Sequence, residues 1–190
     1  MKIAITGGIG SGKTTATAAL KKAGIKIVDC DLIVKKLYKS RRFLKKIRKI
    51  FPDAVRGKVF LKADKKKIAE KAFSDKKAYG LLKETVTERA LYTALKKAEK
   101  FDFAVVEVPL LFETGAEKYF DKVIVIKRDI KDRIESVKSR SSLSEEDVRK
   151  RINAQFDYDS ADLSDYIVIE NDEGAEELAE KVIKAVKEII

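Results

Sequence analysis

Residues Gly7 to Thr14 read Gly-Gly-Ile-Gly-Ser-Gly-Lys-Thr, directly behind the apolar run Ile3-Ala4-Ile5. No other feature constrains the fold of this chain as much. A buried strand from Lys2 to Thr6 has to end in a glycine-rich loop, and a helix has to begin near Gly12. The glycines let the backbone wrap closely around an anion with its N–H groups pointing inward. The N-terminus of the following helix adds a partial positive charge. In that geometry Lys13 reaches the β- and γ-phosphates of a nucleotide, and the Thr14 hydroxyl is placed to ligate Mg²⁺. With 9 Gly in 190 residues, a chance match to the four fixed positions is expected on the order of once in a hundred such chains.

The rest of the sequence suits an enzyme-sized globular domain. A chain of 190 residues is long enough for one domain with its own core. The net charge of +11 attracts anions: nucleic acid, acidic lipid or polyphosphate metabolites. Cys30 is the one cysteine, so no intrachain disulfide forms, and with no signal peptide visible the expected location is a reducing cytoplasm. The longest apolar stretch, near Phe103 to Phe112, is about half the length a membrane span requires and carries Glu107, so no membrane partner is expected. Histidine is absent, which excludes a Ser-His-Asp triad, a histidine base and any histidine-ligated metal within this chain. Proton abstraction then falls to a carboxylate or another group.

Short Val/Ile-rich runs at Ile3–Thr6, Ile25–Val28, Phe103–Val108, Lys122–Ile126 and Tyr166–Ile169 alternate with helical patterns. Most lack polar alternation, as strands buried on both faces of a parallel sheet do. Helical spacing recurs from Ala16 to Ala23, and from Ala175 to Ile190 through Leu178, Val182, Ile183 and Val186. The pattern predicts an α/β layered domain with a five-stranded parallel sheet. Two stretches interrupt it. Residues 31–100 read as a helical insertion with no strong strand, and residues 131–155 as an arginine-bearing segment whose second helix is capped by Ser144. No internal repeat or low-complexity linker divides residues 1–190, which read as one domain.

Several groups could carry chemistry. In parallel α/β sheets ligands bind beyond the carboxyl ends of the strands, so Asp29 and Asp31 are expected near the phosphate loop. One of them could accept a proton from an attacking hydroxyl; Asp31 could equally cap the helix Leu32 to Lys39, and the two roles are compatible. Glu107 ends the third strand and fits a second carboxylate supporting Mg²⁺. The arginines from Arg133 to Arg151 read individually as an exposed basic helix with weak surface ion pairs. A late arginine could instead be delivered by a lid onto the γ-phosphate. The basic run Lys35 to Lys49, with an apolar face of Leu37, Phe43, Leu44 and Ile47, could grip phosphates or simply be solvated. No nucleic-acid-binding motif accompanies it.

With these residues placed, the chain resembles the dephospho-coenzyme A kinases, a family of P-loop small-molecule kinases. The resemblance runs in order through the opening ITGGIGSGKT and through IVDCD, where the family has Asp-Ala-Asp. It continues through Lys58 to Phe73 with Asp64-Lys65, and through EVPLLFE from Glu107 to Glu113. Arg151 to Gln155 and DYIVIENDEG from Asp165 complete it. It implies a three-layer P-loop kinase fold, with residues 31–100 as the substrate-binding insertion and 131–155 as the lid. ATP would donate its γ-phosphoryl to the ribose 3′-hydroxyl of dephospho-coenzyme A, with Mg²⁺ as cofactor. Asp31 would be the base, and Lys13 and Arg140 would stabilise the transferring phosphoryl. Gly8, Ile9, Gly10, Ser11, Gly12, Lys13, Thr14, Thr15 and Arg140 would contact ATP. Asp29, Asp31, Lys65, Glu107 and Leu110 would contact the acceptor, and Thr14 and Glu107 the metal.

Four positions depart from the family pattern. Glu107 replaces an aspartate, and Lys65 replaces an arginine, so a fork becomes a point charge. Val86-Thr87 stands in place of His-Pro. After Gln155 the usual basic segment is the acidic Phe156-Asp157-Tyr158-Asp159 and is one residue shorter. Two alternatives remain at this point: another small-molecule or nucleoside kinase of the same layout, or a nucleotide-switched nucleic-acid-binding protein. A GTPase reading lacks the guanine-specifying Asn-Lys-x-Asp.

Overall fold

The computed structural model describes residues 1–190, apart from the side chain of Phe73, the last residue of the stretch Lys58 to Phe73. The chain forms two compact units, Met1–Asp29 with Leu95–Ile190 and Cys30–Ala94.

The first unit holds a sheet of β1 (Lys2–Thr6), β2 (Ile27–Asp29), β5 (Ala104–Glu107), β6 (Lys122–Lys127) and β7 (Ile167–Glu170). All pairings are parallel and the order is β2-β5-β1-β6-β7. Alternate residues serve its two faces. Ile3, Ile5, Val105, Ile124, Ile126 and Ile169 pack against Ala16 and Leu20 of α1 (Lys13–Lys22) and against Leu178, Val182 and Val186 of α8 (Ala175–Ile189). Ala4, Ala104, Val106, Val123 and Val125, pointing the other way, are also buried. Burial on both faces is why these strands read as apolar runs, and it makes the unit a layered α/β domain. β1 lies between β5 and β6, so strand order reverses at its carboxyl end, where such sheets bind ligands.

Two further helices, α6 (Ile130–Arg140) and α7 (Glu145–Asn153), form a hairpin closed by Ile134, Val137, Val148 and Ile152. Asp129 and Ser144 cap them by accepting from Lys131 N–H and Asp147 N–H, as expected for Ser144.

The second unit contains α2 (Cys30–Leu37), α3 (Arg41–Ile50), α4 (Lys65–Ser74) and most of α5 (Lys76–Ala98). It is not wholly helical: β3 (Val55–Arg56) and β4 (Lys62–Ala63) form a small antiparallel hairpin. Two-residue strands carry too little periodicity to be read from sequence. Arg48 holds this hairpin through Val55 O and Gly57 O. The basic run folds as two amphipathic helices, with Leu37, Phe43, Leu44 and Ile47 buried. At Val86-Thr87 no proline interrupts the backbone, and α5 runs through unbroken.

Candidate active site

The loop after β1 is shaped by its glycines. Gly12, the N-cap of α1, has φ 103° and ψ 9°, a left-handed conformation that any side chain would strain. A Cβ there would also lie 2.5 Å from Asn171 Nδ2. Lys13 Nζ donates to the carbonyls of Gly7 at 2.5 Å and Gly8 at 2.8 Å, so its ammonium sits across the loop. Thr14 and Thr15, on the first turn of α1, are exposed, while Ser11 is buried.

Side chains from the C-terminal half hold this loop. Gln155 Oε1 accepts from Ile9 N–H at 2.7 Å, and Arg133 Nε donates to Ile9 O at 3.1 Å. Asn171, buried at the end of β7, donates through Nδ2 to Ser11 O at 2.8 Å. The Tyr158 hydroxyl lies 3.0 Å from Thr6 Oγ1, and burial pushes its pKa up to about 12. These anchors matter because a phosphate loop works through backbone N–H groups that must already point inward.

Arg133 therefore corrects the reading of the late arginines as an exposed basic face. It is 3% exposed and lies 3.3 Å from Asp159 Oδ2. The acidic turn after Gln155, a departure at sequence level, supplies that partner. Asp157 Oδ1 accepts from Asp159 N–H and Ser160 N–H, and the Ser160 and Asp159 bonds hold its carboxyl below the ordinary range. Arg140 is exposed at the end of α6, about two turns beyond Arg133.

Two acidic residues lie side by side at the ends of neighbouring strands. Asp29 pairs in register with Glu107, and Glu107 with Ile5. Glu107 Oε2 accepts from Thr17 Oγ1 at 3.0 Å, which fastens the end of β5 to α1. Leu110 follows Pro109 and is half-buried. Beyond it Phe112 packs on Phe156 at 4.6 Å and on Tyr166 at 5.1 Å between ring centroids. Glu113 Oε1 accepts from Phe156 N–H.

Asp31 and Lys65 belong to the second unit. Asp31 is exposed in the first turn of α2, which begins at Cys30, so it is not the capping residue considered from sequence. The helices after it are capped by other residues: Ser40 accepts from Phe43 N–H at the start of α3, and Asp64 from Lys67 N–H at the start of α4. Lys65 Nζ lies 5.2 Å from the Tyr38 ring centroid, a cation–π contact.

Sequence reasoning missed Thr17, Tyr158 and the loop-holding roles of Arg133, Gln155 and Asn171. The signal for Thr17 was its helical spacing from Thr14. The others reach the loop from far along the chain, and no local pattern announces such contacts.

A parallel sheet with its switch point at β1, a glycine-bent loop and Lys13 across that loop define a P-loop kinase. A shikimate kinase from Acinetobacter baumannii shares the fold at a TM-score of 0.57 and 14% identity. The dephospho-CoA kinase family model matches residues 1–177, and the chain belongs to that family. The dephospho-CoA kinase of Fusobacterium nucleatum is 30% identical over 184 residues, covering 96% of this chain and 95% of that one. A dephospho-CoA kinase of Thermus thermophilus is 30% identical over 186 residues, 97% and 89% of the two chains. A solved Thermus thermophilus structure superposes with a TM-score of 0.83 at 29% identity, covering 100% of this chain and 97% of that one. Dephospho-CoA kinase from Campylobacter jejuni gives 0.73 at 26%, covering 100% and 98%.

Proposed function

We propose that this chain transfers the γ-phosphoryl of ATP to the ribose 3′-hydroxyl of dephospho-coenzyme A, completing coenzyme A synthesis in the cytoplasm. The observation that carries the reading is the Gly7–Thr14 loop, bent by its glycines and braced on both sides of Ile9, in a chain of this family.

Gly8 to Thr15 would cradle the ATP phosphates. Lys13 would exchange the Gly7 and Gly8 carbonyls for phosphate oxygens, keeping its donors satisfied. Arg140 would meet the transferring group from the end of α6, where exposure leaves the side chain free to move. Asp31, exposed two residues past β2, would accept the 3′-hydroxyl proton. Asp29, Lys65, Glu107 and Leu110 would orient the acceptor, with residues 31–100 as its binding segment and residues 131–155 as the lid.

The hydroxyl of Thr14 and the carboxylate of Glu107 are hard oxygen donors of the kind Mg²⁺ takes alongside phosphate oxygens and water. These two residues would hold it. When bound, Mg²⁺ neutralises charge on the β- and γ-phosphates.

An ADP-release assay with Mg-ATP across dephospho-coenzyme A, nucleosides and shikimate tests the reading. Turnover should be confined to dephospho-coenzyme A. Turnover with a nucleoside or shikimate and none with dephospho-coenzyme A would reject it.

A further inference from the structure

Ile9, the apolar residue of the phosphate loop, is held by side chains at both of its backbone polar groups. Its N–H is held by Gln155 and its carbonyl by Arg133. Its side chain packs against the cluster of Ile134, Val137, Val148 and Ile152 that closes the α6–α7 hairpin. Arg133 sits at the start of α6, and Gln155 just past the end of α7. Both legs of the hairpin are therefore fastened to one residue at the crown of the loop.

Arg133 is also fitted to the loop by shape. A Cβ on Gly8 would lie 2.3 Å from Arg133 Nη2, and one on Gly10 would lie 2.5 Å from Arg133 O. A guanidinium this buried requires a partner and satisfied donors. Asp159 supplies the partner on its half-exposed side, at 3.3 Å, and Ile9 O takes Nε.

We propose that Arg133 is a positioning residue for phosphoryl transfer: with Gln155 it locks Ile9, and so couples the α6–α7 hairpin to the phosphate loop. Fixing both polar groups of Ile9 holds the adjoining peptide N–H groups in the orientation that receives an anion, before the anion arrives. The same lock confines movement of the hairpin to the part beyond Arg133 and short of Gln155, the part that carries Arg140. The inference rests on the reading of the loop as an ATP site, and not on the identity of the acceptor.

Two variants test it. Arg133→Lys keeps the charge and loses the planar fork. Asp159→Asn alters a half-exposed side chain and leaves the buried guanidinium in place. Mg-ATP affinity is measured by titration calorimetry on folded protein, alongside KM for dephospho-coenzyme A and the melting temperature. Arg133→Lys should weaken Mg-ATP binding roughly tenfold or more, as the loss of a charge-assisted hydrogen bond does. KM for dephospho-coenzyme A should stay within about twofold, since the lock acts on the loop. Asp159→Asn should weaken Mg-ATP binding about threefold in the parent and add nothing in the Arg133→Lys background, the mark of one shared unit.

A merely structural arginine would lower the melting temperature and leave the Mg-ATP Kd of folded protein within about twofold of the parent. That result, or additive effects of the two substitutions, overturns the proposal. If Arg133→Lys does not fold, Asp159→Asn decides alone: an unchanged Mg-ATP Kd overturns the lock. A parent that binds Mg-ATP without phosphorylating dephospho-coenzyme A would reject the acceptor and leave the affinity comparison valid.

Discussion

Replacing Tyr158 by Phe removes one oxygen from beneath the phosphate loop, and its effect can be worked out at two pH values. The hydroxyl is 3.0 Å from Thr6 Oγ1, at a residue 2% exposed. Phenylalanine leaves the buried Thr6 hydroxyl without that partner, which costs about 1–3 kcal/mol. For a chain of this size that lowers the melting temperature by about 2–10 °C. At high pH the comparison changes. Burial is the main cause that pushes the Tyr158 phenol up to about 12, against about 10 in an unfolded chain. The folded state favours the neutral phenol, so the stability from this residue is whole below about pH 10. It is lost as pH rises towards 12, by about 3 kcal/mol in all. The phenylalanine variant has no such loss. Urea unfolding of both proteins at about pH 8 and pH 11 reads the difference, and titration of the other tyrosines cancels between them. The two stabilities should converge as pH rises. A constant difference, or a difference under about 0.5 kcal/mol at pH 8, would refute the assignment of a buried, hydrogen-bonded phenol.

Other substitutions probe the loop and the chemistry. Gly12→Ala forces a left-handed alanine into contact with Asn171 Nδ2 and Leu178 Cδ2; it should destabilise the protein by about 2–4 kcal/mol in urea unfolding, and a neutral result would reject the close approach. Asp31→Asn keeps shape and removes basicity, so steady-state kinetics should show kcat falling about 10²–10⁴-fold with Mg-ATP affinity kept; unchanged kcat would reject Asp31 as the base. Arg140→Ala should lower kcat about 10²–10³-fold while moving KM for dephospho-coenzyme A little; an effect confined to KM would reject the lid role.

Much of the fold could be read because the sheet is buried on both faces, which writes each strand as an apolar run. The errors sit at the ends. The apolar run places Ile25 in the second strand, but its N–H bonds Leu20 O while Gly24 N–H bonds Lys21 O. These two bonds finish α1 in the motif that a left-handed glycine allows, and β2 starts at Ile27. The hairpin at Val55 and Lys62 left no trace, because a strand of two residues has no period. The loop itself was legible as a contiguous motif whose glycines have a physical reason. Its bracing was not, since Gln155, Tyr158 and Asn171 meet it across more than a hundred residues. Arg133 looked like one of several surface arginines because charge alone does not report burial. Its partner Asp159 stood in a segment that seemed only to depart from the family pattern.

Transfer of phosphate from ATP to the 3′-oxygen of dephospho-coenzyme A is tested most directly by mass analysis of the product after incubation with Mg-ATP, with the phosphate located on the ribose by phosphorus–proton coupling. The expected product is coenzyme A, one phosphoryl group heavier than the acceptor and substituted at the 3′-position. Unmodified dephospho-coenzyme A, from protein that binds Mg-ATP and phosphorylates another acceptor in the same assay, would contradict it.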